Sequence, residues 1–131
     1  MPASLKSEPR LLFIAGSTRE KSWNKKLARL GHAIADANGI ASAFADLGDY
    51  PMPIYNGDIE TNEGAPDNCR KLKALMKVHS GVFIASPEYN ASFSPLLKNA
   101  IDWASRPSGK CVLNRKPAAL MGCSPGLGGT I

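Results

Sequence analysis

Residues 11–30 read LLFIAGSTREKSWNKKLARL, and this stretch decides the fold of the chain. Its first five residues, Leu11 to Ala15, form a continuous apolar run that is typical of a strand covered on both faces in a parallel sheet. Gly16 ends the run, and residues 17–24 are mostly small, hydroxylated or amide-bearing, with two cations among them. The apolar residues that follow recur at helical spacing: Leu27, Leu30, Ile34 and Ala37. The stretch therefore predicts a buried strand, a loop and a helix.

The loop in this stretch is suited to bind an anion. A loop that leads into a helix leaves backbone N–H groups unpaired, with the positive end of the helix dipole behind them. Ser17, Thr18 and Ser22 can donate hydroxyl hydrogens, Asn24 can donate its amide, and Arg19 offers a planar fork. The same residue types are also favoured at ordinary helix caps, so the loop alone leaves both interpretations open. It matches neither the G-x-x-x-x-G-K-[ST] loop nor the G-x-G-x-x-G fingerprint, so any phosphate here is held by hydroxyls rather than by a lysine and glycines.

Length and composition predict one globular domain. The chain has 131 residues, 44% of them hydrophobic and 21% charged, which is an ordinary composition for a folded domain. We expect residues 1–10 to be a flexible lead-in and residues 11–131 to form the domain. No apolar run approaches the roughly 20 residues that a membrane span needs, and the N-terminal segment lacks the apolar region of a signal peptide. A cytoplasmic location is expected.

Charge and cysteine usage narrow the classes of function. The net charge of +5 is spread along the chain without interleaved aromatic residues, which favours anionic small molecules over nucleic acid. No membrane partner is expected. Cys69, Cys111 and Cys123 form no C-x-x-C pair, and His32 and His79 have no ligand at metal spacing. We therefore expect no metal site, and structural or surface roles for both histidines.

Strands and helices alternate along the predicted chain. The elements are a strand at 11–15, a helix at 23–37, a strand at 40–47, a helix from Pro66 to about His79, a strand at 81–86, a helix opened by Ser94 and Pro95 and stopped by Pro107, and a buried strand at 118–122. Prolines keep residues 48–65 irregular in this prediction, and the acidic side chains of that segment form a solvated rim. This alternation predicts an α/β fold with a doubly wound parallel sheet and right-handed crossovers.

Three unusual segments each follow a predicted strand. They are residues 17–24, 87–93 and 124–129. In doubly wound sheets the ligand lies beyond the carboxyl ends of the strands, near the point where the strand order reverses. We therefore expect the three segments to meet at one edge of the sheet and to form the binding site there.

Four motifs together resemble those of the NAD(P)H-dependent FMN reductase family, the flavodoxin-like quinone, chromate and azo reductases. The motifs are G-S-T-R-x-x-S-x-N at 16–24, S-P-E-Y-N at 86–90, L-K-N-A-I-D-W at 97–103 and S-P-G-x-G-G at 124–129. The resemblance extends from Leu11 onward, with the motifs in the family's order and spacing. It implies a flavodoxin-like fold that binds FMN and uses NAD(P)H as co-substrate.

The resemblance also implies a role for individual residues. The phosphate of FMN would be held by Ser17, Arg19, Ser22 and Asn24. The loop under the isoalloxazine would be shaped by Pro87, Glu88, Tyr89 and Asn90. Within this loop we expect, from the residues themselves, that Glu88 organises the backbone and that Tyr89 has a positioning role rather than donating a proton. The other side of the ring would be closed by Ser124 and Gly126, together with Gly128 or Gly129. No catalytic side chain is required, and Asp102 and Trp103 are expected to pack and cap.

The implied function is transfer of electrons from NAD(P)H through bound flavin to a small acceptor: a flavin, a quinone, chromate or an azo compound. A homodimer or homotetramer is implied as well. Two alternatives stay open: a flavodoxin-like FMN-binding electron carrier, although the acidic surface usual in that class is missing, and an inactive truncated fragment of a reductase. The family usually continues through another helix, a fifth strand and a closing helix. The fold is therefore expected to be truncated after the fourth strand, which would lie at a poorly covered open edge.

Overall fold

Four strands and four α-helices make up residues 8–126, the part of the chain that the computed structural model describes. They are β1 (Arg10–Ala15), α1 (Trp23–Ala37), β2 (Ala41–Asp46), α2 (Gly57–Glu63), α3 (Asp67–Lys77), β3 (Gly81–Ala85), α4 (Pro95–Ala104) and β4 (Ala118–Met121), with a 3-10 turn at Leu47–Asp49. All neighbouring strands are parallel, in the order β2-β1-β3-β4. The predicted doubly wound α/β sheet is confirmed, and β1 begins one residue earlier than predicted.

The central strand β1 packs apolar side chains on both faces of the sheet. Leu12 and Ile14 belong to the core that includes residues of α3 and α4, whereas Phe13 and Ala15 belong to the core beneath α1. This alternation follows from the two-residue period of a strand. Helix α1 and helix α4 therefore lie on opposite faces of the sheet, and the loops that lead into them start from the same edge.

Helix α1 has the predicted bounds because its end signals act locally. Ser22 caps its first turn, and Gly39 after its end adopts a φ of +71°, which glycine tolerates without strain. Gly31 faces the sheet, where a Cβ atom would lie 2.6 Å from Cε1 of Phe13. Glycine is therefore required there for the helix to approach β1 this closely.

The prediction that residues 48–65 are irregular is wrong for part of the segment. Residues 57–63 form α2, whose N-terminus is capped by the side chain of Asn56 accepting from the N–H of Asp58. Pro51, Pro53 and Pro66 lie outside this helix, so no proline interrupts it. Glu60 in α2 is also not part of a solvated rim, because it accepts hydrogen bonds from Tyr55 and Arg106.

Strand β4 is less covered than the prediction of a buried strand implies. It pairs with β3 along one edge and is the outermost strand of the described sheet. Leu120 is 79% exposed, and Ala118 is exposed as well. The open, poorly covered edge that the family resemblance leads us to expect is therefore observed. No helix within residues 8–126 is both long enough and apolar enough to span a membrane.

Candidate functional site

Three loops meet at the carboxyl edge of the sheet, as the sequence predicts. They follow β1, β3 and β4, which are neighbours in the sheet, and the first two flank the point where the strand order reverses. The N–H of Gly16 donates to the carbonyl of Ala85 over 2.9 Å, and the N–H of Ser86 donates to the carbonyl of Met121 over 3.1 Å. The parallel ladder thus continues past the strand ends and holds the starts of the loops together.

The loop after β1 uses its two buried serines to fix its own backbone. Ser17 Oγ accepts from the N–H of Arg19 at 3.2 Å. Ser22 Oγ accepts from the N–H groups of Asn24 and Lys25, at 3.1 and 3.4 Å. Both hydroxyls are acceptors in these bonds, so each keeps its own hydrogen for donation.

Asn24 joins this loop to the loop after β4. Its Nδ2 donates to the carbonyl of Cys123 over 3.2 Å, and its Oδ1 accepts from the N–H of Cys123 over 3.1 Å. Both polar atoms of the amide are therefore engaged by one backbone residue 99 positions away. Direct contact of Asn24 with a phosphate, as predicted from the sequence, would have to use the second hydrogen of Nδ2.

The backbone of the same loop presents several donors. Among residues 8–126, the N–H groups of Ser17, Thr18, Glu20 and Lys21 make no hydrogen bond to another described residue. Arg19 is exposed, and no carboxylate of the described chain pairs with it. Unpartnered N–H groups in the loop that leads into a helix, with an unpaired guanidinium among them, form a cradle suited to a phosphate.

Lys25 stands in the first turn of α1 but does not add a free charge to the cradle. Its Nζ lies 2.8 Å from Oδ2 of Asp46 at the end of β2. Asp46 Oδ1 in turn accepts from the N–H of Gly48 at 2.9 Å. In dinucleotide-binding sheets an acidic side chain about 20 residues beyond the glycine-rich turn binds a ribose hydroxyl. The carboxylate of Asp46 instead contacts Lys25 and the N–H of Gly48.

The loop after β3 folds into a tight hairpin. The N–H of Tyr89 donates to the carbonyl of Ser92 at 2.9 Å, and the reverse bond measures 3.1 Å. Asn90 and Ala91 between them have φ values of +53° and +62°. The N–H of Ala91 also donates to Oε1 of Glu88, so Glu88 organises this loop as the sequence predicts.

A cleft of about 590 Å³ lies beside this hairpin, between α4 and the strands β3 and β4. Its apolar lining is Ile84, Phe93, Leu97, Ile101, Leu120 and Met121. Polar groups reach it from Ser86, Glu88 and Lys98. A wide apolar cleft with a few polar groups is typical of a site for a small organic molecule. Pro87 also lines it, whereas Tyr89 and Asn90 are exposed on the hairpin.

The loop after β4 is described as far as Gly126. Ser124 Oγ accepts from the N–H of Gly126 at 3.2 Å and donates to its carbonyl at 2.9 Å, so the side chain closes a small turn on itself. Gly128 and Gly129, which the sequence assigns to the same closing loop, lie outside the described residues. Ser124 and Gly126 belong to the loop that starts at Cys123, whose backbone is hydrogen-bonded to the side chain of Asn24.

Sequence reasoning also missed the link that Ser94 makes in this site. Ser94, predicted only as the cap of α4, is 1% exposed, accepts from the N–H of Leu97 at 3.1 Å and donates to the carbonyl of Gly16 at 2.6 Å. The cap signal is visible in the sequence, but its second bond spans 78 residues. No local pattern could have indicated it.

The described residues also contain a polar cluster away from the three loops. The hydroxyl of Tyr55 donates to Oε2 of Glu60 at 2.6 Å, and Nε of Arg106 donates to the same carboxylate at 3.0 Å. The hydrogen bond from Tyr55, with further help from Arg106, lowers the pKa of Glu60 from its usual value of 4.5. Trp103, buried as predicted, donates from Nε1 to the carbonyl of Pro53 at 2.8 Å. These contacts hold α2 and the segment before it against α4.

Both histidines make structural contacts. His32 Nδ1 lies 2.7 Å from Ser42 Oγ, and Nδ1 of the buried His79 lies 2.7 Å from the carbonyl of Leu75. Cys69, Cys111 and Cys123 are free thiols.

Comparison with known proteins agrees with the fold. The sequence model of the family described as NADPH-dependent FMN reductase matches residues 9–131. A 2-hydroxy-1,4-benzoquinone reductase of Burkholderia is 38% identical over 123 residues, covering 92% of this chain and 63% of the relative. An NAD(P)H-dependent FMN reductase of Pseudomonas aeruginosa is 38% identical over 122 residues, with the same two coverages.

A solved structure shows the same similarity. FerB, a flavoenzyme NAD(P)H:acceptor oxidoreductase from Paracoccus denitrificans, superposes with a TM-score of 0.78 at 35% identity. The superposition covers 91% of this chain and 63% of FerB. The chain therefore spans less than two thirds of the length of each of these three relatives.

Proposed function

Because this chain belongs to the NADPH-dependent FMN reductase family, we propose that it binds FMN and passes electrons from NAD(P)H through the flavin to a small acceptor. The observation that carries the proposal is the cradle after β1. Four backbone N–H groups and the Arg19 guanidinium are without a partner among residues 8–126 there, in the loop that leads into α1. That donor set fits a phosphate monoester.

The four side chains proposed for the phosphate contribute differently. Arg19 offers its guanidinium directly, and Ser22 retains a hydroxyl hydrogen above the helix start. For Ser17 we assign its N–H, which makes no hydrogen bond within residues 8–126, as the main donor. Asn24 fixes the loop after β4 beside the cradle.

The cleft beside the hairpin is proposed to receive the flavin ring and the molecules that react with it. Its volume lies in the ordinary range of small-molecule sites, roughly 300–1,000 Å³. Pro87 and Glu88 line it, and the hairpin bond pair between Tyr89 and Ser92 fixes the shape of its rim. Asn90 forms the tip of that rim, while Ser124 and Gly126 lie in the loop on the β4 side.

Bound flavin supplies the hydride and electron chemistry. The chain's own residues bind and orient. The cradle fixes the phosphate end, and the apolar side chains of the cleft exclude water from the reacting face. No side-chain nucleophile or general acid is needed for this role.

Quinones are the acceptors that we favour. The Burkholderia relative is named for a benzoquinone substrate, and an apolar cleft suits a flat, uncharged ring. A flavin, chromate or an azo compound is the next acceptor to test.

A homodimer or homotetramer and a cytoplasmic location belong to the same proposal. The half-exposed aromatic side chains of Tyr89 and Phe93, next to the cleft, are of the kind that partner subunits cover. Three free thiols suit a reducing compartment. Light scattering coupled to size exclusion measures the first point, and fractionation of the source cells measures the second.

The test is a flavin titration followed by a turnover assay. Flavin fluorescence is measured while FMN is titrated with the wild-type chain and with the Ser17→Ala/Arg19→Ala variant, and NADH and NADPH oxidation is then followed with benzoquinone present. We expect FMN to bind the wild type, the double variant to bind at least tenfold more weakly, and the quinone to be reduced.

Each other outcome is informative. Binding of FMN without oxidation of NADH or NADPH would identify a flavodoxin-like electron carrier. Absence of FMN binding would refute the proposal for the 131-residue chain and leave the interpretation of an inactive fragment.

A further inference from the structure

Gly16 is held at both ends of its backbone. Its N–H donates to the carbonyl of Ala85, and its carbonyl accepts from the hydroxyl of Ser94 at 2.6 Å. A Cβ atom at this position would lie 3.3 Å from Cβ of Leu97 and 3.4 Å from Oγ of Ser94, so the backbone is also packed tightly against the first turn of α4. The glycine has little freedom to turn.

The bond from Ser94 determines the direction of the next donor in the chain. In a trans peptide the C=O and the following N–H point in opposite directions. Because the carbonyl of Gly16 points at Ser94, the N–H of Ser17 points away from α4. Helix α1 lies on the opposite face of the sheet, so this direction leads toward the loop that continues to α1.

We propose that Ser94 is a positioning residue for the phosphate cradle, which it controls by orienting the N–H of Ser17. This inference rests on the proposed binding of FMN by the loop after β1. Ser94 itself does not touch the phosphate. It keeps one donor directed into the cradle before the ligand arrives, so no conformational freedom has to be lost there on binding.

A purely structural role makes a different prediction. If Ser94 only caps α4, its loss weakens the fold and lowers the fraction of active protein, and FMN and riboflavin are affected alike. If it orients the Ser17 N–H, its loss weakens the binding of FMN but not that of riboflavin, which has the same ring system and no phosphate. The ratio of the two dissociation constants separates these roles.

The experiment measures both dissociation constants by fluorescence for four proteins. Ser94→Ala removes both bonds of the hydroxyl, and Ser94→Thr keeps the hydroxyl. Ser80→Ala is the matched control, since Ser80 Oγ accepts from the N–H of Arg10 at 2.9 Å and donates to its carbonyl at 3.0 Å. Ser80 immediately precedes β3, at the amino ends of the strands, and the cradle lies at their carboxyl ends. Wild type completes the set.

We expect Ser94→Ala to raise the dissociation constant for FMN by about tenfold relative to that for riboflavin. Ser94→Thr and Ser80→Ala should keep the wild-type ratio. Active-site stoichiometry, read from the end point of each titration, corrects for unfolded protein. If Ser94→Thr does not fold, the ratios of Ser94→Ala and Ser80→Ala decide the question alone.

Two other results are distinguishable. A wild type that prefers FMN, combined with a Ser94→Ala variant of unchanged ratio, overturns the role of Ser94 and leaves the proposed function standing. A wild type that binds both flavins equally, or neither, overturns the phosphate cradle and this inference with it.

Discussion

Lys25 Nζ lies 2.8 Å from Oδ2 of Asp46, and the two side chains are only 9% and 10% exposed. The pair joins the first turn of α1 to the end of β2. Removing one partner of a buried pair leaves an uncompensated charge. We expect Lys25→Met to lower the free energy of unfolding by about 3–5 kcal/mol, measured by urea denaturation.

The double variant Lys25→Met/Asp46→Leu is the control for this prediction. It removes both charges and replaces them with apolar groups, so it should be more stable than Lys25→Met alone. Equal stability of the single and double variants would show that the pair is not buried as described.

The Tyr55–Glu60 hydrogen bond predicts a dependence of stability on pH. A carboxyl whose pKa is lower in the folded state than in the unfolded state stabilises the fold above the unfolded pKa, and this contribution is lost as pH falls. The pKa of Glu60 is lowered from 4.5, chiefly by the Tyr55 hydroxyl. The stability advantage of wild type over Glu60→Gln should therefore be full at neutral pH and should shrink below about pH 4.5.

Chemical denaturation of both proteins across the acid range measures this difference. Tyr55→Phe removes the main cause of the lowered pKa and should reduce the same pH dependence. A difference between wild type and Glu60→Gln that stays constant through the acid range would contradict the assignment.

Substitution of Gly31 tests how closely α1 packs on the sheet. A Cβ at this position would lie 2.6 Å from Cε1 of Phe13, whose ring stacks on that of Phe83 at 4.8 Å between centroids. Although alanine is the better helix former, we expect Gly31→Ala to destabilise the fold by about 1–3 kcal/mol through overpacking. The double variant Gly31→Ala/Phe13→Leu, which shortens the clashing side chain, should recover part of the loss in thermal unfolding.

Substitutions of Ala91, in the hairpin after β3, test whether its backbone is strained. Its φ of +62° is unfavourable for a residue with a Cβ and normal for glycine. Ala91→Gly should raise the free energy of unfolding by up to about 1 kcal/mol, whereas Ala91→Val should lower it. The melting temperatures of the two variants check the sign, and an order of stability with valine above glycine would contradict the left-handed conformation of this turn.

The sequence predicts α1 and β1 well because their signals are local. The signals are the apolar run of β1, the cap residue Ser22 and the helical spacing of the apolar residues after it. All lie within 30 residues, and α1 has the predicted bounds. Helix α2 carries no apolar periodicity. It is held by Tyr55, Glu60 and Arg106, which come together only in the folded chain, and local reasoning therefore missed it.

For the candidate site, too, the sequence predicts some features and not others. That the loops meet follows from the parallel sheet, in which the carboxyl ends of the strands share one edge, and the parallel sheet follows from the alternation of elements. Which atoms remain free does not follow, because Ser94, Asn24 and Asp46 all engage partners far along the chain or across the sheet. The residue types predicted an anion site, but only the structure shows that backbone donors outnumber free side chains in it.

The bond pair between Asn24 and Cys123 also bears on the order in which the molecule forms. It closes a loop of 99 residues, longer than the Ser94–Gly16 contact, which spans 78. Contacts between distant positions carry the largest closure entropy and tend to form late. During synthesis the residues of the loop after β1 are made early, but Asn24 can bond to Cys123 only once β4 has left the ribosome. Under the proposed function, flavin added to a growing chain would therefore report the pairing of β4 with β3 rather than the folding of the first half of the chain.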